Sequence, residues 1–411
     1  MQDVGGDALG DELDRRLSGW DRELAEKYPG DRGVRQPVHT VYVPGDRFVP
    51  ETARLWGLEA LRMLGRHDLP DVPGLDAAAA AEIRHRVEVK LAIEPIEDLR
   101  IDFEDGYGRR PDAVEDADVR AAARALAISV RGNAGAPFHG LRFKSFEAST
   151  RRRGLRTLRL FLGTLIENDG LAPGFVVTLP KVTAPVQVEA MAATCAALER
   201  EFGLPSGRLG FEIQIETPQA ITGPDGAAAV ARMIHAAAGR CTGLHYGTYD
   251  YSAGLGIAAA YQSLEHPAAD HAKAVMQVAA AGTGVHLSDG STNVVPVGNQ
   301  VGSAWTLHAR LVRRSLERGY YQGWDLHPAQ LPTRYLATYA FFRAGLPQAV
   351  ARLRAYLHGG DSGFLDEPAT AAALAGFVRR GLDCGALDAG DLDGLDPARL
   401  AELSRRAPAA Q

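Results

Sequence analysis

The chain has 411 residues, 46% of them hydrophobic and 23% charged, with a formal net charge of −6. This composition supports a large buried core and excludes global disorder, and the acidic balance argues against broad nucleic-acid binding. Three scattered cysteines (Cys195, Cys241, Cys384), an acidic start without a secretory apolar segment, and no apolar run near the roughly 18 residues of a bilayer span lead us to expect a soluble cytoplasmic protein without membrane or nucleic-acid partners.

In chain order, residues 1–38 read as a helical extension ending in a Gly/Pro/Arg-rich loop. Short β-branched or aromatic runs follow at 39–45 (HTVYVPG), 99–105 (LRIDFED), 140–146 (GLRFKSF) and 174–181 (GFVVTLPK). Four more occupy 211–217 (FEIQIET), 243–250 (GLHYGTYD), 284–290 (GVHLSDG) and 321–327 (YQGWDLH). Helical stretches separate them, clearest at 186–202 and 226–238, and the Pro-interrupted connection after the first run has room for two helices. Strands alternating with helices imply βαβ units and a parallel sheet. Eight units favour an α/β fold of the (β/α)₈ TIM-barrel type over an open doubly wound sheet, since no GxGxxG follows the first run. The expected division is an N-terminal extension (1–38), a barrel (39–345) and a C-terminal helical segment (346–411) that serves as a lid or inter-subunit arm.

Ionisable residues collect where these runs end: Asp46 and Arg47, Glu104 and Asp105, Lys144, Lys181, Glu216, Asp250, Asp289 and His327. In a barrel, that end is the rim on which active sites are built. Glu216 and Asp250 close adjacent strand candidates. Parallel neighbours lie ~4.8 Å apart, so two carboxylates at equal height can share one cation. Hard oxygen ligands, few in number, suit Mg²⁺, with Mn²⁺ as an alternative, whereas zinc would want His or Cys. Against this stands the plain reading of two solvated or salt-bridged acids. Arg142, inside the third run, offers a planar fork to a carboxylate or enolate; the structural alternative is an ion pair with Glu104 or Asp105. Lys181 has the options of a substrate carboxylate or Glu216, and either Lys144 or Lys181 has a Schiff-base option. The arginine run at 151–153 reads as a solvated helix start.

Taken together, VPGDR (43–47), IDFEDG (101–106), LRFK (141–144), LPKV (179–182), IET (215–217), GTYDYSAGLG (247–256) and DLHPAQ (325–330) resemble, in order, the citrate lyase beta-subunit-like and malyl-CoA lyase proteins, a family of Mg²⁺-dependent aldolases and lyases. The resemblance implies a homo-oligomeric enzyme, trimer or hexamer, that makes or breaks a carbon–carbon bond in a small 2-oxo or 2-hydroxy acid or its coenzyme A thioester. It implies Glu216 and Asp250 as metal ligands and Arg142 on the substrate oxygen. Glu104 and Asp105 follow as catalytic or metal-water partners, and Arg47, Lys144, Lys181, Gly247 and Thr248 as substrate-binding residues. Asp366, in FLDEP (364–368), takes the place of an aspartate that reaches a neighbouring subunit's site. This chain departs from the family at Lys144, where asparagine is usual, in its 38-residue leader, and at GSTNVVPVGNQ (290–300). Related 2-oxo-acid aldolases carry a histidine base near the second strand; Asp105 stands there instead, which favours the citrate-lyase-like branch. Thioester hydrolysis, C–N lysis on the same scaffold, and non-catalytic metabolite binding are the rival functions.

Overall fold

The computed structural model describes residues 4–132, 134–360 and 363–405. The ends of the expected leader (1–3) and of the expected C-terminal segment (406–411) lie outside the described residues. Eight strands form one parallel sheet: β1 (His39–Pro44), β2 (Asp98–Asp102), β3 (Phe138–Arg142), β4 (Phe175–Leu179), β5 (Gly210–Ile215), β6 (Cys241–Tyr246), β7 (His286–Ser288) and β8 (Gly323–Asp325). The spatial order is β7-β6-β5-β4-β3-β2-β1-β8. A parallel bridge between Ser288 and Gln322 joins the two edges. The Asp289 amide also donates to the Gln322 carbonyl at 2.8 Å and the Trp324 amide to the Gly290 carbonyl at 3.2 Å, so the sheet closes into a (β/α)₈ barrel.

Around it run α1 (Val4–Lys27), α2 (Thr52–Leu64), α3 (Ala77–Ile93), α4 (Asp112–Arg131), α5 (Arg151–Glu167), α6 (Pro185–Glu201), α7 (Pro218–Ile221) and α8 (Ala229–Ala236). They continue with α9 (Thr248–Gly254), α10 (Pro267–Ala280), α11 (Val301–Glu317), α12 (Leu331–His358), α13 (Pro368–Asp383) and α14 (Pro397–Ser404). Each expected run overlaps one strand, and two helices lie between β1 and β2. The boundary expected at 345/346 falls inside α12, which packs on α3, α11 and α13 as one continuous helix.

Several strands end earlier than their apolar patterning suggests, and β2 shows why. The Asp102 carboxylate accepts the amides of Glu104 and Gly106, both at 2.9 Å, and this local turn draws the chain out of the ladder. The sixth run carries the larger correction. Asp250 does not close β6, which stops at Tyr246; it sits in the first turn of α9.

Outward-facing strand residues such as Ile101, Leu141, Leu179, Ile213 and Leu244 are fully buried against the helices and form the apolar core. The inward face is polar, unlike the aliphatic filling usual for such barrels. Arg100 pairs with Asp98 and holds Glu212 through two bonds of 3.1 and 2.7 Å. Glu212 also meets Thr178 Oγ1 at 2.5 Å and His245 Nε2 at 3.0 Å. Burial alone would raise Glu212, but Arg100 and His245 overcome it and hold the carboxyl well below its ordinary value. Buried charges persist only when paired this completely.

His139 on β3 is a buried exception. Its Nδ1 lies 3.2 Å from the Ala136 carbonyl and its Nε2 has no partner, and burial pushes it down to about 4. Because its folded-state value is depressed, the unfolded chain takes up this proton first, so stability falls as pH drops from the ordinary value of 6.5 toward 4. His139→Leu removes that dependence. The stability gap between wild type and variant, read by urea unfolding, should shift toward the variant by up to about 1.4 kcal/mol per pH unit in this window.

Candidate active site

The carboxyl ends of β2 to β6 bring one acidic cluster together. Glu216, just past β5, is 3% exposed and accepts the Lys181 backbone amide at 2.7 Å. Lys181, just past β4, has φ +51°, a left-handed conformation rarely adopted by a residue with a long side chain. Strain of this kind persists where the surroundings over-determine it, often at functional sites. Its ammonium sits 2.8 Å from Asp105 Oδ2, 3.0 Å from Asp250 Oδ2 and 3.4 Å from Glu104 Oε1. One lysine therefore ties the carboxylates of β2, β5 and α9 together, by its amide on one side and its ammonium on the other.

Burial pushes Glu216 up to about 8 and Glu104 up to about 7, against the opposing pull of Lys181 and Arg142. Asp105 is lower than an ordinary carboxylate: burial resists this, but the Lys181 ammonium prevails. Burial also opposes the charge on Lys181, yet the surrounding carboxylates raise it above the usual lysine range. The cluster thus collects negative charge around a point already occupied by a cationic group.

Gly247 faces Glu216 so closely that a Cβ there would lie 2.4 Å from Glu216 Cβ and 2.9 Å from Oε2. Since its φ is −100°, the constraint is space and not backbone conformation. Gly247→Ala should therefore displace the Glu216 carboxylate while the fold survives. If Glu216 is a metal ligand, the expected result is Mg²⁺ affinity lowered by about 10-fold or more, the scale of effects on groups that orient metal ligands, with near-normal circular dichroism. Affinity within twofold of wild type would show that this contact does not position Glu216.

Arg142 lies below the cluster and is buried. Its fork holds Asp102 in two bonds of 2.6 and 2.7 Å, and the guanidinium lies over the rings of Tyr42 (4.5 Å) and Trp324 (5.5 Å). The expected ion-pair partners were Glu104 or Asp105; the main partner is Asp102, with Glu104 Oε2 at 3.6 Å. The least committed nitrogen, Nη1, is turned toward that carboxylate and toward Gln214 Oε1 at 3.5 Å.

The remaining site residues divide. Thr248 exchanges hydrogen bonds with the backbone of Ser291 at 3.2 Å, which fastens the loop after β7 to α9 at the rim. The 290–300 segment continues there, with the Asn293 amide on the Tyr249 hydroxyl at 2.5 Å. Arg47 is exposed just past β1. Lys144 is turned away from the cluster: its ammonium is buried on the Phe103 carbonyl and on Glu115 of α4, both at 2.8 Å. Asp366 lies between α12 and α13, held by Arg352, and joins no site residue of its own chain. Asp289 is a structural acid, bonded to Lys273 at 3.0 Å and Ser315 at 2.6 Å. Asp102 and Gln214 were missed. Both are inward-facing by the period-two alternation that continues to Glu104 and Glu216, so the same alternation would have found them.

Four carboxyl groups gathered around one lysine, three on its ammonium and Glu216 on its backbone amide, make a donor set suited to a hard cation. Among the described residues, no group of three or more His, Cys, Asp or Glu side chains is arranged to hold a metal by itself. An ion held here would take few protein carboxylates and fill its shell with water and substrate, a habit of Mg²⁺.

Residues 17–409 match the family model described as a domain of unknown function, DUF6986. The chain belongs to the DUF6986 family. No curated protein matches this DUF6986 chain by sequence. A solved structure of a citrate lyase from Burkholderia xenovorans LB400 is 18% identical, covers 80% of this chain and 97% of its own, and superposes with a TM-score of 0.53. A Haloferax volcanii malate synthase, solved as a lead(II) complex, is 12% identical over 91% of this chain and 98% of its own, with a TM-score of 0.49. An HpcH/HpaI aldolase/citrate lyase family protein from Burkholderia cenocepacia J2315 is 14% identical over 78% of this chain and 95% of its own, with a TM-score of 0.40. At such identities the likeness to the citrate lyase is one of fold: this DUF6986 protein shares the barrel scaffold of that lyase. Among the described residues, no helix is long and apolar enough to cross a membrane.

Proposed function

We propose that this chain is a Mg²⁺-dependent lyase or aldolase that cleaves or forms a carbon–carbon bond in a small 2-oxo or 2-hydroxy acid, free or as a coenzyme A thioester. The observation that carries this is the convergence of Glu104, Asp105 and Asp250 on the Lys181 ammonium, with Glu216 on the Lys181 amide and Arg142 beneath. Glu216 and Asp250 would hold the ion, Mg²⁺ or Mn²⁺. When bound, it supplies Lewis acidity and a fixed seat for a 2-oxo carboxylate.

The protein's own groups do the rest. Arg142 directs Nη1 toward the substrate oxygen on which negative charge develops, where a preorganised donor is worth most. Its fork stays anchored on Asp102, so little reorganisation accompanies the reaction. Glu104, whose carboxyl burial raises above its ordinary value, is placed to act as the general acid–base group. Lys181 neutralises the cluster and would give its ammonium to the substrate carboxylate. Asp105, exposed at the rim, stays on the solvent side of the cluster. Arg47, Gly247 and Thr248 bound the substrate at the mouth. Lys144, committed to Glu115, contributes by fixing the strand that bears Arg142.

The coenzyme A form of the substrate and the homo-oligomer go together in this reading. Asp366 reaches a site only from a neighbouring copy, and beside it Leu365 is 98% exposed, an apolar side chain left for an intermolecular contact. The test is a product screen: purified protein with pyruvate, glyoxylate and acetyl-CoA in combination, with Mg²⁺ or with chelator, analysed by mass spectrometry. Mg²⁺-dependent appearance or cleavage of a C–C-linked hydroxy acid supports the proposal. Thioester hydrolysis or C–N cleavage alone would replace it with another chemistry on the same scaffold, and binding without turnover would make the protein a metabolite-binding module.

A further inference from the structure

The amino-end mouth of the barrel, opposite the acidic cluster, is not plugged. It opens into a cavity of about 310 Å³ at the starts of the strands. The inner wall is the Arg100–Glu212–His245 network, and the outer edge carries Arg32, Arg208 and His286. Gly210 and Gly243 leave part of the wall without side chains. The segment after α1 crosses this mouth as a strap. The Gly30 amide donates to the Gly282 carbonyl at 2.7 Å, and Gln36 Nε2 donates to the Leu287 carbonyl at 3.1 Å. Gly33, at φ +70°, turns the strap.

The cations along the edge are the unusual feature. The inner-wall acids, Asp98 and Glu212, are already taken by Arg100, Thr40, Thr178 and His245. Arg35, on the strap, is likewise paired with Glu94 and Glu97. Among the described residues Arg208 forms no ion pair: its hydrogen bonds go to the carbonyls of Leu171 (3.2 Å) and Ala172 (2.6 Å), and the nearby Glu199 carboxylate is held by Arg240 and offsets only part of the cost of burial. Burial lowers its hold on its proton, the reverse of the well-paired arginines in this chain. Arg32 is exposed and forms no hydrogen bond or ion pair among the described residues. The His286 ring is also without a hydrogen bond among them, and burial pushes it down to about 4. A half-buried guanidinium whose one nearby acid is already held by another arginine, a guanidinium with no ion pair among the described residues and an imidazole with no hydrogen bond among them share the rim of one cavity and form a place where an anion is wanted.

We propose that this amino-end cavity is a second ligand site, separate from the acidic cluster, which takes a small dianion of the phosphate or dicarboxylate class. Arg208 and Arg32 hold the anionic group, His286 donates to it, and the cavity accommodates the body of the ligand. Because Arg32 belongs to the strap and Arg208 to the β4–β5 side of the barrel, the ligand clamps the leader onto the barrel floor. The inference does not depend on the reaction proposed at the other end.

The test is thermal unfolding of the full chain in inorganic phosphate and in malonate, each against sodium chloride of equal ionic strength. One or both anions should raise Tm by several degrees beyond the chloride control, with saturation. The rise should fall by more than half in Arg32→Gln, which removes no internal bond and so leaves the fold intact, and in Arg208→Gln. It should persist in Glu216→Gln, which alters only the opposite end. A larger response to phosphate than to malonate assigns the site to phosphate-bearing ligands, and the reverse order to dicarboxylates. No rise with either anion, a rise unchanged in Arg32→Gln and Arg208→Gln, or a rise lost in Glu216→Gln overturns the proposal.

Discussion

Glu216→Gln should weaken Mg²⁺ binding by about 100-fold or more, beyond the 10–100-fold typical of residues that only orient a ligand. Turnover at limiting metal should fall by about 10³-fold, since a bound ion contributes several kcal/mol of charge stabilisation. Glutamine keeps the shape and can still accept the Lys181 amide, now 2.7 Å from Oε1. Folding should therefore be little disturbed, and the loss isolates the charge. Isothermal titration with Mg²⁺ and steady-state assays on the product found by the screen check both effects. If Mg²⁺ affinity is unchanged, Glu216 is not a ligand and the metal assignment fails, whatever happens to turnover.

The second large effect is expected at Arg142. Arg142→Lys keeps a cation but loses the planar fork that bonds Asp102 twice. Turnover should fall by about 10²–10³-fold, the scale observed when one donor to a developing oxyanion is removed. Mg²⁺ affinity should stay within a few-fold of wild type, because Arg142 does not touch Glu216 or Asp250. Stability should also fall by about 1–3 kcal/mol, as the buried Asp102 is left short of a hydrogen bond. Measuring kcat, KM, Mg²⁺ affinity and urea unfolding together separates the roles. A fall in stability with kcat preserved would make Arg142 a purely structural ion pair.

The architecture was legible because its signals are periodic and local. Each of the eight short runs lies on one strand, and the helical stretches between them bury apolar faces. What the pattern did not carry was where each strand stops. The turn at Asp102 is formed by a side chain accepting two backbone amides, and Asp250 belongs to α9 because the chain leaves the ladder at Gly247. Side-chain direction after a strand end is equally invisible to spacing. Lys144 reads as a rim cation, but once β3 has ended it turns outward to Glu115. The expected Arg142–Glu104 ion pair is present, but the main partner was missed for a related reason. Attention fell on the acids at the rim, while Asp102, one pleat deeper, shares register with Arg142 across β2 and β3. The cavity at the barrel's amino end had no sequence signal, because its Arg32, Arg208 and His286 come from three distant segments.

The central claim is that Glu216 and Asp250 hold the metal. It is tested most directly by a crystal structure of the full chain grown with Mn²⁺ and a small 2-oxo acid, with the ion located by its anomalous signal. The account predicts one ion per chain bonded to carboxylate oxygens of Glu216 and Asp250, with the Lys181 ammonium moved away from Asp250 and Arg142 facing the 2-oxo oxygen. An ion bound elsewhere, or the Lys181 ammonium still seated on Asp105 and Asp250 with no ion beside them at saturating Mn²⁺, would contradict it.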